Sequence, residues 1–106
     1  MTTERRELLD RVRVLLGAGE VREVSMFGAV ALMVDDAMAV AVQKDGGLLV
    51  RVAPAEDGSL LAEPDATRAE MGRGRAMGTG WIRVTADGKG LSDERLAFWV
   101  TAALRR

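Results

Sequence analysis

The segment AMAVAV at residues 37–42 constrains the fold more than any other stretch, because its side chains alternate in bulk with a period of two. Met38, Val40 and Val42 fall on one face of an extended strand, and Ala37, Ala39 and Ala41 fall on the other. A face of alanines lets another element sit close. Similar short runs at 21–27, 29–34 and 48–53 read as further strands bounded by turn signals. In Gln43-Lys44-Asp45-Gly46-Gly47 the Asp-Gly pair supplies the positive φ of a tight hairpin. Asp35-Asp36 is a weaker turn, since Asp tolerates the left-handed region less well than Gly.

Gly28 interrupts the apolar run VSMFGAVALMV directly after Phe27. A glycine inside a strand is costly, and its best explanation is a bend or bulge between the first two strands, with Phe27 packed beneath the first helix. Residues 54–80 are the least regular part and hold both prolines, Pro54 and Pro64, with room for a short helix within 55–63. A further strand, WIRVT at 81–85, leads into the turn Ala86-Asp87-Gly88-Lys89-Gly90.

Helical periodicity marks the two ends of the chain. Residues 4–16 place Leu8, Leu9, Val12, Leu15 and Leu16 on one stripe, with Thr3 as N-cap and Gly17 and Gly19 as terminators. In SDERLAFWVTAAL, Ser92 caps, Asp93 and Glu94 complement the positive end of the dipole, and Leu91 and Leu96 form a hydrophobic staple. Leu96, Trp99, Val100, Ala103 and Leu104 make its buried stripe. The expected architecture is α+β in two layers: an antiparallel sheet of about five strands with an N-terminal and a C-terminal helix packed on it, in one domain spanning 1–106.

What is missing limits the chemistry. The chain has no histidine, cysteine or tyrosine, so the usual general base, thiol nucleophile and imidazole ligands are absent. Asp35-Asp36 and Glu56-Asp57 are the closest acidic pairs, but neighbours in a turn point apart, and no second cluster supplies the ligands a hard cation needs. No catalytic residue, metal site or cofactor is therefore expected. Net charge is -1, which disfavours direct nucleic-acid binding. The charge is unevenly spread: residues 34–63 carry six acids against Lys44 and Arg51, and residues 64–106 carry eight bases against five acids. No run is long enough to span a membrane and no apolar signal segment opens the chain, so a cytoplasmic protein is expected.

Four residues stand out as binding candidates. Arg51, in LLVRVA, shares a strand face with Leu49 and Ala53; if that face is covered, it needs a partner, a carboxylate or free backbone carbonyls. Arg73 and Arg75 lie in GRGRAMGTGW, which mixes arginine forks with four glycines but matches neither a Walker loop nor a dinucleotide fingerprint. Trp81 ends that loop. Trp99, at helical spacing with Leu96 and Val100, reads as core, as do Met33 and Met38.

MFG at 26–28, LLVRVAP at 48–54, RAMGTGW at 75–81 and LAFWVTAAL at 96–104 together resemble the TfoX N-terminal-domain-like family in its single-domain form. The similarity runs from about residue 20 to the end, and Met26, Phe27, Gly28 and Trp99 are its signature positions. The family's second glycine is Ala29 here, and its turn glycine is replaced by Asp35-Asp36. The resemblance implies an α+β domain and, for the family's two-domain members, regulation of natural competence through a transcriptional activator rather than enzymatic turnover. The expectation is a non-enzymatic regulatory or protein-interaction module, with a protein partner such as a transcriptional regulator and with homodimerisation open. The alternative is a small-anion or small-molecule binding domain using loop 72–81.

Overall fold

The computed structural model describes residues 3–17, 21–26, 28–35, 37–43, 47–70, 74–85 and 91–105. Helix α1 (Thr3–Leu16) is followed by strands β1 (Val21–Met26), β2 (Ala29–Val34), β3 (Ala37–Val42) and β4 (Leu48–Arg51). A 3-10 turn (Pro54–Glu56) then runs into α2 (Asp57–Leu61), and β5 (Ala66–Arg68), β6 (Trp81–Val84) and α3 (Asp93–Leu104) complete the chain. The fold is α+β, as the patterning requires, and all strand pairs are antiparallel.

The sheet has six strands rather than about five, in the order β1-β2-β3-β4-β6-β5. The additional strand, Ala66-Thr67-Arg68, lies within the stretch expected to be irregular. It has no apolar alternation to announce it and exists because β6 offers it a pairing edge. The first four strands form a meander, whereas the chain leaves β4, crosses to the far edge as β5 and returns to insert β6 in between.

One expected face assignment is corrected. Leu32 pairs with Val40 and Met33 with Met38, so Ala39 is an extra residue at a bulge. Met38 is thereby turned away from Val40 and Val42 and joins Ala31 and Ala41, while Ala39 enters the main core. Gly28 makes the bend expected between the first two strands, as a turn rather than a bulge. Met26 pairs with Ala29 across the turn, and Gly28 has φ +80°, the left-handed conformation of a tight hairpin. Phe27 lies outside the described residues, as do Lys44, Asp45 and Gly46 in the next-but-one hairpin, which closes with Gln43 N–H donating to Gly47 O at 2.8 Å. Asp35 takes the left-handed φ of +51° that its turn demands.

The core lies between the helices and one face of the sheet. Val30, Leu32, Val40, Val42, Leu48, Val50, Ile82 and Val84 point toward Leu9 and Val12 of α1, Leu60 of α2, and Leu96, Trp99 and Val100 of α3. Burying each large side chain contributes roughly 1.5 to 3 kcal/mol, which explains why two short amphipathic helices hold to the sheet. The helical stripes are narrower than the sequence suggests: Leu15 and Leu104 are exposed, and Ala102 is buried instead. Thr3 is the first residue of α1 rather than its cap. Ser92 caps α3 as expected, accepting from the Arg95 backbone N–H at 3.1 Å.

Ion pairs stitch the helical layer together. Arg6 and Arg13 of α1 both reach Glu23 of β1, at 3.0 and 2.9 Å. Arg11 donates to Asp93 and to the Leu91 carbonyl, tying α1 to the start of α3, and Arg105 meets Glu56 at 2.9 Å. Such exposed pairs add little each, and they fix orientation more than stability.

Candidate functional site

All three helices contribute to the core on one face of the sheet, whereas the other face carries a second apolar cluster made only of strand residues. Ala31, Met38 and Ala41 are its buried centre, and Ala29, Met33, Leu49 and Trp81 pack around them half-buried. No described helix residue packs against this cluster. The alanine face seen in the sequence is thus real for Ala41, but no described helix closes over it.

Two of the four binding candidates meet on this face. Arg51 ends β4 and Trp81 opens β6, and the two residues are directly opposite in register. The Arg51 guanidinium carbon lies 5.1 Å from the centroid of the Trp81 ring, a cation–π contact. The expected carboxylate partner for Arg51 is not observed: no described helix packs on its face, and among the described residues no acid lies within ion-pair distance of it. On the next row of the same face Arg83 donates from Nε to Gln43 Oε1 at 3.0 Å. Gly47 leaves room for that pair, since a Cβ there would sit 2.9 Å from Gln43 Oε1 and 3.1 Å from Arg83 Nε.

The loop candidates are not brought to the pair in the same way. Arg75 is exposed in the hairpin between Ala69 and Met77, which is closed by the Met77 N–H donating to Ala69 O at 2.8 Å and by pairing of Glu70 with Ala76. Arg73 lies outside the described residues. Met26 is in place at the end of β1, and Gly28 turns the first hairpin. Trp99 is fully buried and belongs to the core.

A pair that sequence reasoning missed positions Trp81 from behind the sheet. Asp57, at the start of α2, is the one buried charged side chain among the described residues. Arg68 of β5 donates to both of its oxygens, at 2.8 and 2.6 Å, and the Gly80 N–H donates to Oδ1 at 2.7 Å. Arg68 also reaches the carbonyls of Gly78 and Trp81, at 2.7 and 3.1 Å. Loop 78–81 is therefore held at both ends by one ion pair, and Trp81 enters β6 from a fixed backbone. The Arg68 hydrogen bonds, helped by the Gly80 N–H, keep the Asp57 carboxyl below its ordinary range despite the burial that opposes it. Gly80 is required here: φ is +93°, and an added Cβ would meet Val52 O at 3.1 Å.

The adjacent acids Glu56 and Asp57 do point apart, one to Arg105 and the other to Arg68. Asp57 is nevertheless not solvated. The sequence signal was slight: an acid shortly after Pro54 in a short helix, with its cation eleven residues on in a strand no pattern revealed.

Among the described residues no group of three or more acidic side chains could hold a metal ion. No described helix is long and apolar enough to cross a membrane.

The family model of the TfoX N-terminal domain matches residues 13–106. The chain belongs to that family. No curated protein matches it.

Proposed function

We propose that this member of the TfoX N-terminal domain family is a non-enzymatic regulatory module that docks a protein partner on the helix-free face of its sheet. The observation that carries this reading is the second cluster itself. A two-layer domain covers one sheet face with helices, yet here the other face also presents apolar side chains, Met33, Leu49 and Trp81, half-buried around a centre of alanines. Aromatic and Met residues flanked by arginine are the side chains enriched where proteins meet.

The alternative, a small-anion or small-molecule site on loop 72–81, has less support. The Gly80 N–H that would serve an anion is given to Asp57, and the Gly78 carbonyl is held by Arg68. A thermal-shift screen with phosphates, nucleotides and carboxylates separates the two, since a ligand at 100 times its Kd adds about 2.7 kcal/mol to stability.

The docking reading is tested by affinity capture from the native cell with wild-type, Trp81→Ala and Arg75→Ala proteins side by side. A partner held by wild type and Arg75→Ala but lost by Trp81→Ala is the expected result. A partner retained equally by all three, or no partner above background, overturns it.

A further inference from the structure

We propose that Arg51, laid against the Trp81 ring, is the receptor for a carboxylate side chain on an acidic segment of the docking partner. This rests on the docking reading above and adds to it the chemistry of the partner.

The geometry separates the two ways a guanidinium binds. Contact with an aromatic ring uses its flat face, and the N–H groups around its edge remain suited to a bidentate carboxylate. The Arg51 guanidinium carbon lies over the Trp81 ring, 5.1 Å from its centroid. No acid among the described residues pairs with the guanidinium N–H groups. The surroundings favour a charge-assisted contact: Arg51 and Trp81 are both half-buried, and Met38 and Leu49 supply an apolar floor that lowers the local dielectric.

Charge complementarity selects the occupant. Arg51 stands on this face beside the uncharged Leu49 and Trp81, and no acid among the described residues pairs with it. Several acids of the helical side already have cations of their own: Glu23 has Arg6 and Arg13, Asp57 has Arg68, and Glu63 and Asp65 share Arg95. An arginine held on an apolar face is complemented by a surface that brings a carboxylate to it, so the fitting surface is an acidic one. Phosphate shares the fork geometry, but the flanking Met and Leu side chains match a peptide carrying apolar residues beside its acid.

The experiment is an NMR titration of the intact protein with a short peptide alternating Glu and Leu, and in parallel with its Gln–Leu counterpart and inorganic phosphate. The two indole N–H signals are built-in reporters, because Trp81 lies at the proposed site and Trp99 is fully buried. The Glu peptide is expected to shift the Trp81 indole and leave Trp99 still. The Gln peptide, and the Arg51→Met protein with the Glu peptide, are expected to bind about tenfold more weakly or worse, the effect of losing a charge-assisted hydrogen bond. The peptide comparison uses wild type alone and so stands whether or not the variant folds. Equal binding of the two peptides, an unmoved Trp81 indole, or phosphate acting as strongly as the Glu peptide overturns the proposal. If affinity capture still shows a partner lost by Trp81→Ala, the docking face survives and only its carboxylate chemistry is removed; loss of that capture result removes both.

Discussion

The indole N–H of Trp99, buried in the middle of α3, donates to Asp65 Oδ2 at 3.1 Å, and Arg95, one turn earlier on α3, grips the same carboxylate at 2.7 Å. A single acid between α2 and β5 thus anchors the C-terminal helix through both its apolar and its charged faces. The Arg95 guanidinium also lies 4.5 Å from the centroid of Phe98, which meets Trp99 edge-on. Trp99→Ala should lose roughly 3 to 5 kcal/mol from the emptied volume alone. Trp99→Phe should lose less, because it keeps an aromatic ring and empties less volume, giving up one hydrogen bond worth about 1 kcal/mol. Urea melts of the two variants check the order, and a Trp99→Ala loss below about 1 kcal/mol would contradict its place in the core.

Removing one partner of the Asp57–Arg68 pair should be more damaging than its area suggests. Arg68→Ala leaves a buried carboxylate with only the Gly80 N–H, a change of the kind that costs roughly 3 to 5 kcal/mol, with the lower end expected because Arg68 keeps some contact with water. The loss should appear in denaturant melts together with a change in Trp81 fluorescence, since loop 78–81 loses its tether.

Acid should unfold the protein in a defined window. Arg68 on Asp57 and Arg6 on Glu23 lower the pKa of each acid; at Asp65 burial pushes upward, and Arg95 and Trp99 outweigh it. A carboxyl whose folded pKa is lowered contributes stability that is present above its unfolded value, 3.8 for Asp and 4.5 for Glu, and is lost as pH falls through the folded value. Stability should therefore be flat from neutrality down to about pH 5 and fall steeply below about pH 4. Circular dichroism against pH measures this, and a loss beginning near pH 6 would contradict the assignment.

The arginines should separate by position. Arg75→Ala should change stability by no more than about 0.5 kcal/mol, as an exposed hairpin residue. Arg51→Ala loses a half-exposed cation–π contact and strands no buried acid among the described residues, so a cost of about 0.5 to 1 kcal/mol is expected. Thermal melts at matched ionic strength compare them.

Two glycines should respond in opposite directions to alanine. Gly58 lies inside α2 with nothing within 4 Å of a new Cβ, and Gly58→Ala should stabilise by about 0.4 to 1 kcal/mol. Gly80→Ala places a side chain at φ +93° and against Val52 O, and should destabilise by at least about 1 kcal/mol. Denaturant midpoints decide both signs.

The sequence by itself determined the elements whose signals are local. Helical spacing around Leu9 and Val12, the Ser92 cap, and the period-two runs of β2, β3 and β4 each act over a few residues, and each is found where its pattern lies. Trp99 as core was legible for the same reason. Tertiary structure alone decided the relationships between distant segments. β5 has too few residues to show a period and is a strand only because β6 pairs with it. Met38 changes face because the register slips by one residue against β2, and strand register is a property of two chains of atoms rather than one. Arg51 faces Trp81, thirty residues on, because β6 inserts beside β4, and Asp57 is buried because Arg68 and Gly80 converge on it from across the fold. A carboxylate's burial depends on partners brought together only when the core closes, and that closure is what turned an ordinary acidic turn into the anchor of the Trp81 loop.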